Sequence, residues 1–300
     1  MSKSNNILDC SSSIAIIVTF NPDVQEFLEF CDVLSIQFSC VVVVDNNSDN
    51  INLFKSKISE FKNFNIILNS SNLGLAFAQN QGVKYAIENN FESFCMFDQD
   101  SKVDSSYLVN IINDYNGLVL NGFNVGSLGP VIVDQTSGIH YPAVRYNGFF
   151  LNRVDLDEVI IDCSFIIASG SITKISTFVE VGWFYNEFFI NYIDIEWCFR
   201  AISIGYGIFM TPNVKLYQNV GLYRKNFLGR SIPVHSPLRR YYASRNSTIM
   251  LYFKHVSIGY KFREIILNPV RVVFDCLVAG NSIIRIKLFF KGFIDGIQNR

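Results

Sequence analysis

Four continuous apolar runs in the first hundred residues alternate with segments whose apolar residues recur at helical spacing. The runs are IAIIVTF (14–20), CVVVVD (40–45), FNIIL (64–68) and SFCMFD (93–98). Short apolar runs bounded by polar residues are typical of strands that are buried on both faces. Residues 21–34 have helical spacing, and residues 72–90 predict a loop that turns into a helix. This alternation predicts an open α/β sheet of mostly parallel strands over residues 1–120.

Polar residues follow the predicted strands at their carboxyl ends. They form the segments 19–21, 45–48, 72–74 and 98–101. In an open parallel sheet these ends lie along one edge, and ligands bind in the crevice beyond it. We therefore expect the four segments to converge on one crevice.

The pattern becomes mixed and rich in glycine after residue 120. SFIIASGS (164–171) predicts a further strand that ends in a loop of small residues, and residues 191–206 predict a helix. Asp194 lies at the start of that helix, where the helix dipole favours a carboxylate. Residues 236–255 predict a basic helix, and the last forty residues carry amphipathic helical patterns.

Composition excludes several classes of protein. Of the 300 residues 49% are hydrophobic, so the chain is globular and not disordered. No apolar run of about 18 residues predicts a spanning helix, and no leader predicts secretion. The seven cysteines include no C-x-x-C pair, so we expect reduced thiols in a cytosolic protein and no zinc site.

Charge is distributed unevenly along the chain. Residues 1–219 contain 11 Lys and Arg against 23 Asp and Glu, whereas residues 220–300 contain 14 against 3. Such an asymmetry predicts a polyanionic partner, either nucleic acid or an anionic membrane surface. The alternative is that the basic tail packs on the acidic body. No nucleic-acid-binding motif accompanies the charge, which favours the membrane.

Asp98 and Asp100 stand one residue apart at the end of the fourth apolar run. Two carboxylates this close repel each other, and a cation between them relieves the repulsion. Oxygen ligands with an incomplete protein shell suit Mg²⁺ or Mn²⁺ when phosphates complete the coordination. The alternative is structural: both acids would cap a helix that starts near Asp104, and Asp45 would cap a turn in DNNS.

Several motifs in a fixed order resemble the family-2 glycosyltransferases with the GT-A fold, and among them the bacterial rhamnosyltransferases that build surface polysaccharides. The motifs are VTFNP (18–22), VVDNNS (43–48), NLGLAFAQNQG (72–82), FDQDS (97–101), FFINYIDIEWCFRAISIGY (188–206) and HSPLRRYYASRN (235–246). The resemblance implies a Rossmann-like, mostly parallel sheet flanked by helices. It also implies two parts of the chain, a GT-A domain over 1–220 and a basic amphipathic extension over 221–300. The GT-A domain would have a nucleotide-sugar half over 1–120 and an acceptor half over 121–220.

The resemblance implies roles for residues at the sheet edge. Contacts with the nucleotide-sugar donor are implied for Thr19, Phe20, Asn21, Asp45, Asn47, Asn72, Gly74, Asn80, Asp98 and Gln99. Thr19 and Phe20 would line the nucleobase pocket, and Asp45 would read the pyrimidine edge. A divalent cation, Mg²⁺ or Mn²⁺, would be held by Asp98 and Asp100. Gln218 stands where similar enzymes often carry a His, which implies weaker binding of the metal.

The resemblance also implies a catalytic base, Asp194, with Glu196 as a competitor for that role. Contacts with phosphates or with the acceptor are implied for Gly170, Ser171, Trp183, Glu196, His235, Arg239, Arg240 and Arg245. The alternative for the arginines is a solvated basic helix face, and for His235 a hydrogen bond within a loop.

The implied function is inverting transfer of a sugar, L-rhamnose from dTDP-L-rhamnose, to a lipid-linked glycan in the synthesis of O-antigen, capsule or cell-wall polysaccharide. The protein would be cytoplasmic and peripherally associated with the inner face of the plasma membrane. A homodimer is a candidate assembly, and no nucleic acid is expected as a partner. One alternative is the same fold with a UDP-sugar, as in a glucosyl- or galactosyltransferase. Another is a non-catalytic assembly partner that binds sugar nucleotide or lipid.

Overall fold

A computed structural model describes residues 7–155, 159–218, 223–227, 230–234, 236–279 and 282–298. The strands are β1 (Ser13–Thr19), β2 (Cys40–Asp45), β3 (Phe64–Leu68), β4 (Ser93–Asp98), β5 (Lys102–Val103), β6 (Val125–Asp134), β7 (Ala143–Asn147), β8 (Phe150–Val154), β9 (Ile161–Asp162), β10 (Ile172–Lys174), β11 (Gly207–Gln218), β12 (Tyr223–Phe227) and β13 (Arg230–Val234). The helices are α1 (Val24–Ser35), α2 (Ile51–Ile58), α3 (Leu75–Glu88), α4 (Tyr107–Leu120), α5 (Ile175–Val181), α6 (Ile193–Ser203), α7 (Pro237–Met250), α8 (Ile258–Ala279) and α9 (Ser282–Gln298).

The main sheet has nine strands in the order β3-β2-β1-β4-β10-β6-β11-β5, with β9 paired to β11. The first four strands in this order, β3, β2, β1 and β4, pair in parallel. For example, Ile16 of β1 lies between Val42 of β2 and Met96 of β4. Strands β1 and β2 are buried along their whole length, as their continuous apolar runs predict. The predicted mostly parallel α/β sheet is confirmed.

The second half of the chain extends the same sheet. Strand β10 runs antiparallel to β4 and β6, and β11 pairs in parallel with β6. The helix predicted over 191–206 is α6, and the basic helix is α7. The predicted boundary at residue 220 stays a prediction.

The strand predicted over 164–171 is wrong, because this segment is a loop with isolated bridges, one from Ser169 to Met96 of β4 and one from Phe165 to Val144 of β7. Gly170 has a φ of +77°, which breaks an extended run. Its position is also crowded: a Cβ there would lie 2.7 Å from Tyr107 Oη and 2.7 Å from Pro130 Cγ. The paired strand begins only at Ile172.

Helices α7 and α9 approach each other closely at two glycines. A Cβ on Gly292 would lie 2.4 Å from the Tyr241 carbonyl oxygen, and one on Gly296 would lie 2.7 Å from the Arg245 carbonyl oxygen. Ser244 Oγ donates to the Phe289 carbonyl at 2.8 Å across this contact. None of the helices in the described part of the chain combines the length and apolarity needed to cross a bilayer.

Candidate active site

A cavity of about 1010 Å³ opens at the carboxyl ends of β4 and β11. Asp98 from β4, Asp194 from α6 and Gln218 from β11 line it. Arg239 and Arg240 from α7 face it from another side. Residues that lie far apart in the sequence thus meet at the sheet edge where the strand-end pattern predicts a crevice.

Asp98 is the last residue of β4 and lies among other acids. Burial, and then the charges of Asp100 and Asp194, raise the pKa of Asp98 to about 7, while Arg239 opposes this shift. The Asp98 backbone N–H donates to Ser169 Oγ at 3.1 Å. Helix α4 begins only at Tyr107, without a side-chain cap, so capping of that helix does not explain Asp98 or Asp100.

Asp194 is the second residue of α6, and its carboxylate is oriented by backbone donors. One oxygen accepts from the Ala168 N–H at 3.2 Å and the other from the Ile195 N–H at 2.9 Å. Burial raises the pKa of Asp194, and these hydrogen bonds oppose the shift. A carboxylate oriented in this way retains lone pairs that can accept a proton from a hydroxyl group in the cavity.

The loop before α6 is held by Asn246, a fully buried residue of α7. Its amide nitrogen donates to the carbonyl oxygens of Phe188, Ile190 and Asn191 at 2.8, 2.9 and 3.0 Å. The loop needs support because Phe189, Asn191 and Tyr192 all have positive φ. Asn246 lies in a recognised motif, but nothing in the local sequence pattern indicates this contact.

The Asp45 carboxylate is tied to its neighbours at the ends of β1 and β2. Thr19 Oγ1 donates to it at 2.9 Å, and Ser48 donates from its N–H at 2.8 Å and its hydroxyl at 2.5 Å. The turn contacts of the structural alternative are therefore present, and a role for Asp45 toward a nucleobase stays a prediction.

Phe20 and Gln99 connect the loops after β1 and β4. The Phe20 N–H donates to Gln99 Oε1 at 2.7 Å, and Gln99 Nε2 donates to the Phe20 carbonyl at 3.3 Å. The Phe20 side chain is 46% exposed, so its ring is accessible from solvent. Asn21 and Asn47 both have positive φ in the adjoining loops.

The loop before α3 packs directly on the loop before α6. Asn72 Oδ1 accepts from the Gly74 N–H at 3.0 Å, and Gly74 has a φ of +90°. A Cβ on Gly74 would lie 2.6 Å from Phe189 Cδ2, so the close approach requires glycine. Asn80 donates to the Phe184 carbonyl at 2.9 Å and to Asn186 Oδ1 at 2.8 Å. The structure thus places Asn80 as a link between α3 and residues 184–186.

The structure places Glu196 in a buried ion-pair cluster and not in the cavity wall. Its oxygens accept from Arg200 Nε at 3.0 Å and Nη2 at 2.8 Å, and His255 Nε2 lies 2.7 Å from Glu196 Oε1. Glu196 is fully buried, whereas Asp194 lines the cavity. Of the two acids, Asp194 is the one that a ligand in the cavity can reach.

Other residues assigned by the resemblance lie outside the cavity wall. Arg245 donates to the Glu187 carbonyl, and its guanidinium lies 4.9 Å from the centre of the Tyr242 ring. Ser171 Oγ donates to the Ala168 carbonyl at 2.8 Å, and Trp183 packs edge-on against Phe178. His235 lies outside the described residues.

Two buried amide side chains that face the cavity have an unpaired oxygen. Gln79 on α3 is 3% exposed and Gln218 is 9% exposed, and the Oε1 atom of each has no hydrogen-bond partner among the described residues. Buried polar atoms are normally paired, so both oxygens are available to a ligand. Gln79 has no signal in the sequence beyond its place in a motif.

Asp98, Asp100 and Gln218 fit a divalent cation whose coordination is completed by phosphate. Asp98 and Gln218 line the cavity, and Asp100 is an exposed residue two positions after Asp98. No group of three or more His, Cys, Asp and Glu suited to a metal occurs in the part of the chain that the structure describes. Asp98 and Asp100, with the unpaired oxygen of Gln218, supply hard oxygen ligands but not a complete shell. The mutual repulsion of the carboxylates favours a bound cation.

Comparison with known proteins identifies the family. No protein-family model matches the chain. The chain is 30% identical over 291 residues to the dTDP-rhamnosyl transferase RfbF of Shigella flexneri, an alignment that covers 96% of each protein.

Two solved structures are similar in fold. GalNAc-T7, crystallised with UDP, GalNAc and Mn²⁺, superposes with a TM-score of 0.58 at 14% identity, over 86% of this chain and 54% of that one. TarS 1-349 of S. aureus gives a TM-score of 0.49 at 14% identity, over 96% of this chain and 72% of that one. With the acids of one cavity at the carboxyl edge of its sheet, the chain is a glycosyltransferase of the GT-A fold and belongs to the family of the Shigella rhamnosyl transferase.

Proposed function

We propose that this protein transfers L-rhamnose from dTDP-L-rhamnose, with inversion at the anomeric carbon, to a hydroxyl group of a lipid-linked glycan. The 30% identity to a dTDP-rhamnosyl transferase along almost the whole chain is the observation that supports this donor. The glycan would belong to a surface polysaccharide such as O-antigen, capsule or cell-wall polymer.

Asp194 acts as the general base in this proposal. It takes the proton of the acceptor hydroxyl as that oxygen forms its bond to the anomeric carbon. The bond from the anomeric carbon to the phosphate oxygen breaks, and its electron pair leaves with dTDP. This single displacement inverts the anomeric carbon and needs no covalent enzyme intermediate.

Asp98 and Asp100 hold Mg²⁺ or Mn²⁺ in the same proposal, with Gln218 supplying an amide oxygen. A cation bound there neutralises the charge that develops on the departing diphosphate. The positive charge of Arg239 opposes the upward shift in the pKa of both acids, and Arg239 lines the cavity with Asp98, so its charge also favours an anion there.

Residues at the edge of β1 to β4 bind the nucleotide in this proposal. The exposed Phe20 ring offers a face on which a nucleobase stacks, and Thr19 and Asp45 form the base of that pocket. The donor contacts of Asn21, Asn47, Asn72, Gly74, Asn80 and Gln99 stay predictions.

The C-terminal helices bind the membrane surface in this proposal. Exposed apolar side chains on α8 and α9 include Ile258, Phe262, Ile265, Ile266, Val270, Val273, Phe274, Leu277, Ile283, Ile284, Ile286, Phe290, Phe293 and Ile294. Exposed Lys287 and Lys291 lie on α9 among them. Apolar helix faces interleaved with basic residues bind the interface of anionic bilayers.

Calorimetric titration of dTDP, UDP and GDP, each with and without Mn²⁺, tests the donor site. We expect the tightest binding for dTDP with metal, and loss of the metal-dependent part in Asp100→Ala. Asp104→Ala removes an exposed acid four residues away and serves as the matched control. Preference for UDP would move the donor to another sugar, and no binding of any nucleotide by folded protein would contradict the proposal.

Binding of nucleotide with metal should depend on pH through Asp98. Since the pKa of Asp98 is raised to about 7 in the free protein, its carboxyl must release a proton before it can bind a cation. We expect affinity to fall up to about ten-fold per pH unit below pH 7 and to level off above pH 8. Titrations in buffers of different ionisation enthalpy report the proton released. The terminal phosphate of dTDP itself loses a proton at about pH 6. Equal affinity at pH 6 and pH 8 would contradict the role of Asp98, and Asp98→Asn should keep only the pH dependence that comes from this phosphate.

A further inference from the structure

A charged cluster on α8 forms part of the cavity wall, and the mechanism above does not use it. Arg271 Nη1 lies 2.7 Å from Glu264 Oε2 and Arg271 Nη2 lies 3.1 Å from Glu264 Oε1. Arg263 Nη1 lies 3.6 Å from Glu264 Oε1. All three residues line the cavity. Among the side chains that the structure describes, two guanidinium groups thus share the Glu264 carboxylate in this part of the wall.

The cluster is partly exposed, and a hydrogen bond connects it to the loop before α6. The Glu264 side chain is 2% exposed, whereas those of Arg263 and Arg271 are 30% and 35% exposed. Tyr192 Oη donates to Glu264 Oε2 at 2.8 Å, and Tyr192 precedes Asp194 by two residues. The buried carboxylate therefore holds the two guanidinium groups in place, while both arginine side chains stay partly exposed.

An apolar surface begins where the charged cluster ends. Phe274 lines the cavity and is 38% exposed. On the same helix Phe262, Ile266, Val270 and Leu277 are exposed at intervals of four, four and seven residues, as expected for one stripe of a helix. The cavity therefore leads from anion-binding groups to an apolar stripe, which is the arrangement that an amphiphile with an anionic head and an apolar tail requires.

We propose that Arg263 and Arg271 bind the phosphate through which the acceptor glycan is attached to its lipid, and that the lipid lies along the exposed stripe of α8. This inference rests on the lipid-linked acceptor of the proposed function. The donor diphosphate is assigned to the part of the cavity wall that Asp98, Gln218 and Arg239 line, which contains none of the α8 residues. Guanidinium groups bind phosphate oxygens through paired, charge-assisted hydrogen bonds.

Steady-state kinetics with two acceptors tests the inference. One acceptor is the glycan on a polyprenyl diphosphate in detergent, and the other is the same glycan on an uncharged alkyl chain. In Arg263→Gln and Arg263→Ala, both of which leave the hydrogen bond from Tyr192 to Glu264 in place, we expect KM for the diphosphate acceptor to rise about 10- to 100-fold. We expect kcat, KM for the uncharged acceptor and Kd for dTDP to change less than about two-fold.

Lys261→Gln is the matched control, because it removes a positive charge from the same helix outside the cavity wall. KM for both acceptors should stay unchanged in this variant, which distinguishes a phosphate site from general attraction to anionic micelles. Equal KM values for the two acceptors in the wild-type protein, or equal increases in the variants, would overturn the inference while leaving the proposed function intact. An increase confined to Kd for dTDP would assign the arginines to the donor instead. Failure of the wild-type protein to glycosylate either acceptor would refute the proposed function itself.

Discussion

Replacing Asp194 by Asn is expected to lower kcat by about 100- to 10,000-fold, the contribution typical of a general base. The amide is similar in size but cannot take the proton from an acceptor hydroxyl. One of the two backbone N–H groups that now donate to the carboxylate, those of Ala168 and Ile195, can still donate to the remaining oxygen. The loss should therefore appear in the chemical step and not in binding of the donor.

Initial-rate measurements with dTDP-L-rhamnose and a lipid-linked acceptor give kcat, and calorimetry with dTDP gives the affinity of the free site. Asp32→Asn changes an exposed acid on α1 in the same way and is the control for loss of one negative charge. A variant that keeps wild-type kcat would remove Asp194 from the role of base. Glu196 could not take its place without breaking its buried ion pair with Arg200.

Replacing Asn246 by Ala should lower the free energy of unfolding by about 2 to 5 kcal/mol, because three carbonyl oxygens lose their donor and the removed side chain leaves a cavity. These carbonyls belong to Phe188, Ile190 and Asn191, in a loop with positive φ at several positions. The same loop leads into Asp194. We therefore expect kcat to fall as well, since a loop without its support no longer fixes the position of the base.

Urea unfolding followed by circular dichroism measures the first effect, and initial rates well below the unfolding transition measure the second. Asn89→Ala is the control, since Asn89 is exposed and its side chain makes a single hydrogen bond, to the Tyr85 carbonyl at 2.8 Å. That variant should lose about 1 kcal/mol or less. Unchanged stability of Asn246→Ala would show that the loop holds its conformation without these hydrogen bonds.

Local patterns predicted most elements of the fold. The four apolar runs of the first half became β1 to β4, and the helical spacing around Asp194 became α6. The strand predicted over 164–171 failed for a physical reason, because an apolar run does not reveal the positive φ of Gly170 or the crowding around it. The run lines the cavity as a loop, and Ala168 there donates a hydrogen bond to Asp194.

The candidate site was predictable only in part. The spacing of Asp98 and Asp100 and their place after an apolar run indicated an edge of the sheet at which acids meet. The position of Glu196 two residues after Asp194 made the two acids equivalent in the sequence, yet one lines the cavity and the other is buried against Arg200. Helical geometry separates neighbours at this spacing onto different faces, and tertiary packing decides which face is open.

By itself the sequence determined the alternation of strands and helices, the family, and the edge at which Asp45 and Asp98 lie, because these follow from local periodicity and from ordered motifs. Only the tertiary structure decided that Gln79 keeps an unpaired oxygen, that Asn246 supports the loop before Asp194, and that arginines of α8 face the same cavity. Those facts depend on contacts between elements that are distant in the chain. A local pattern carries no information about which distant side chain will fill or open a given space.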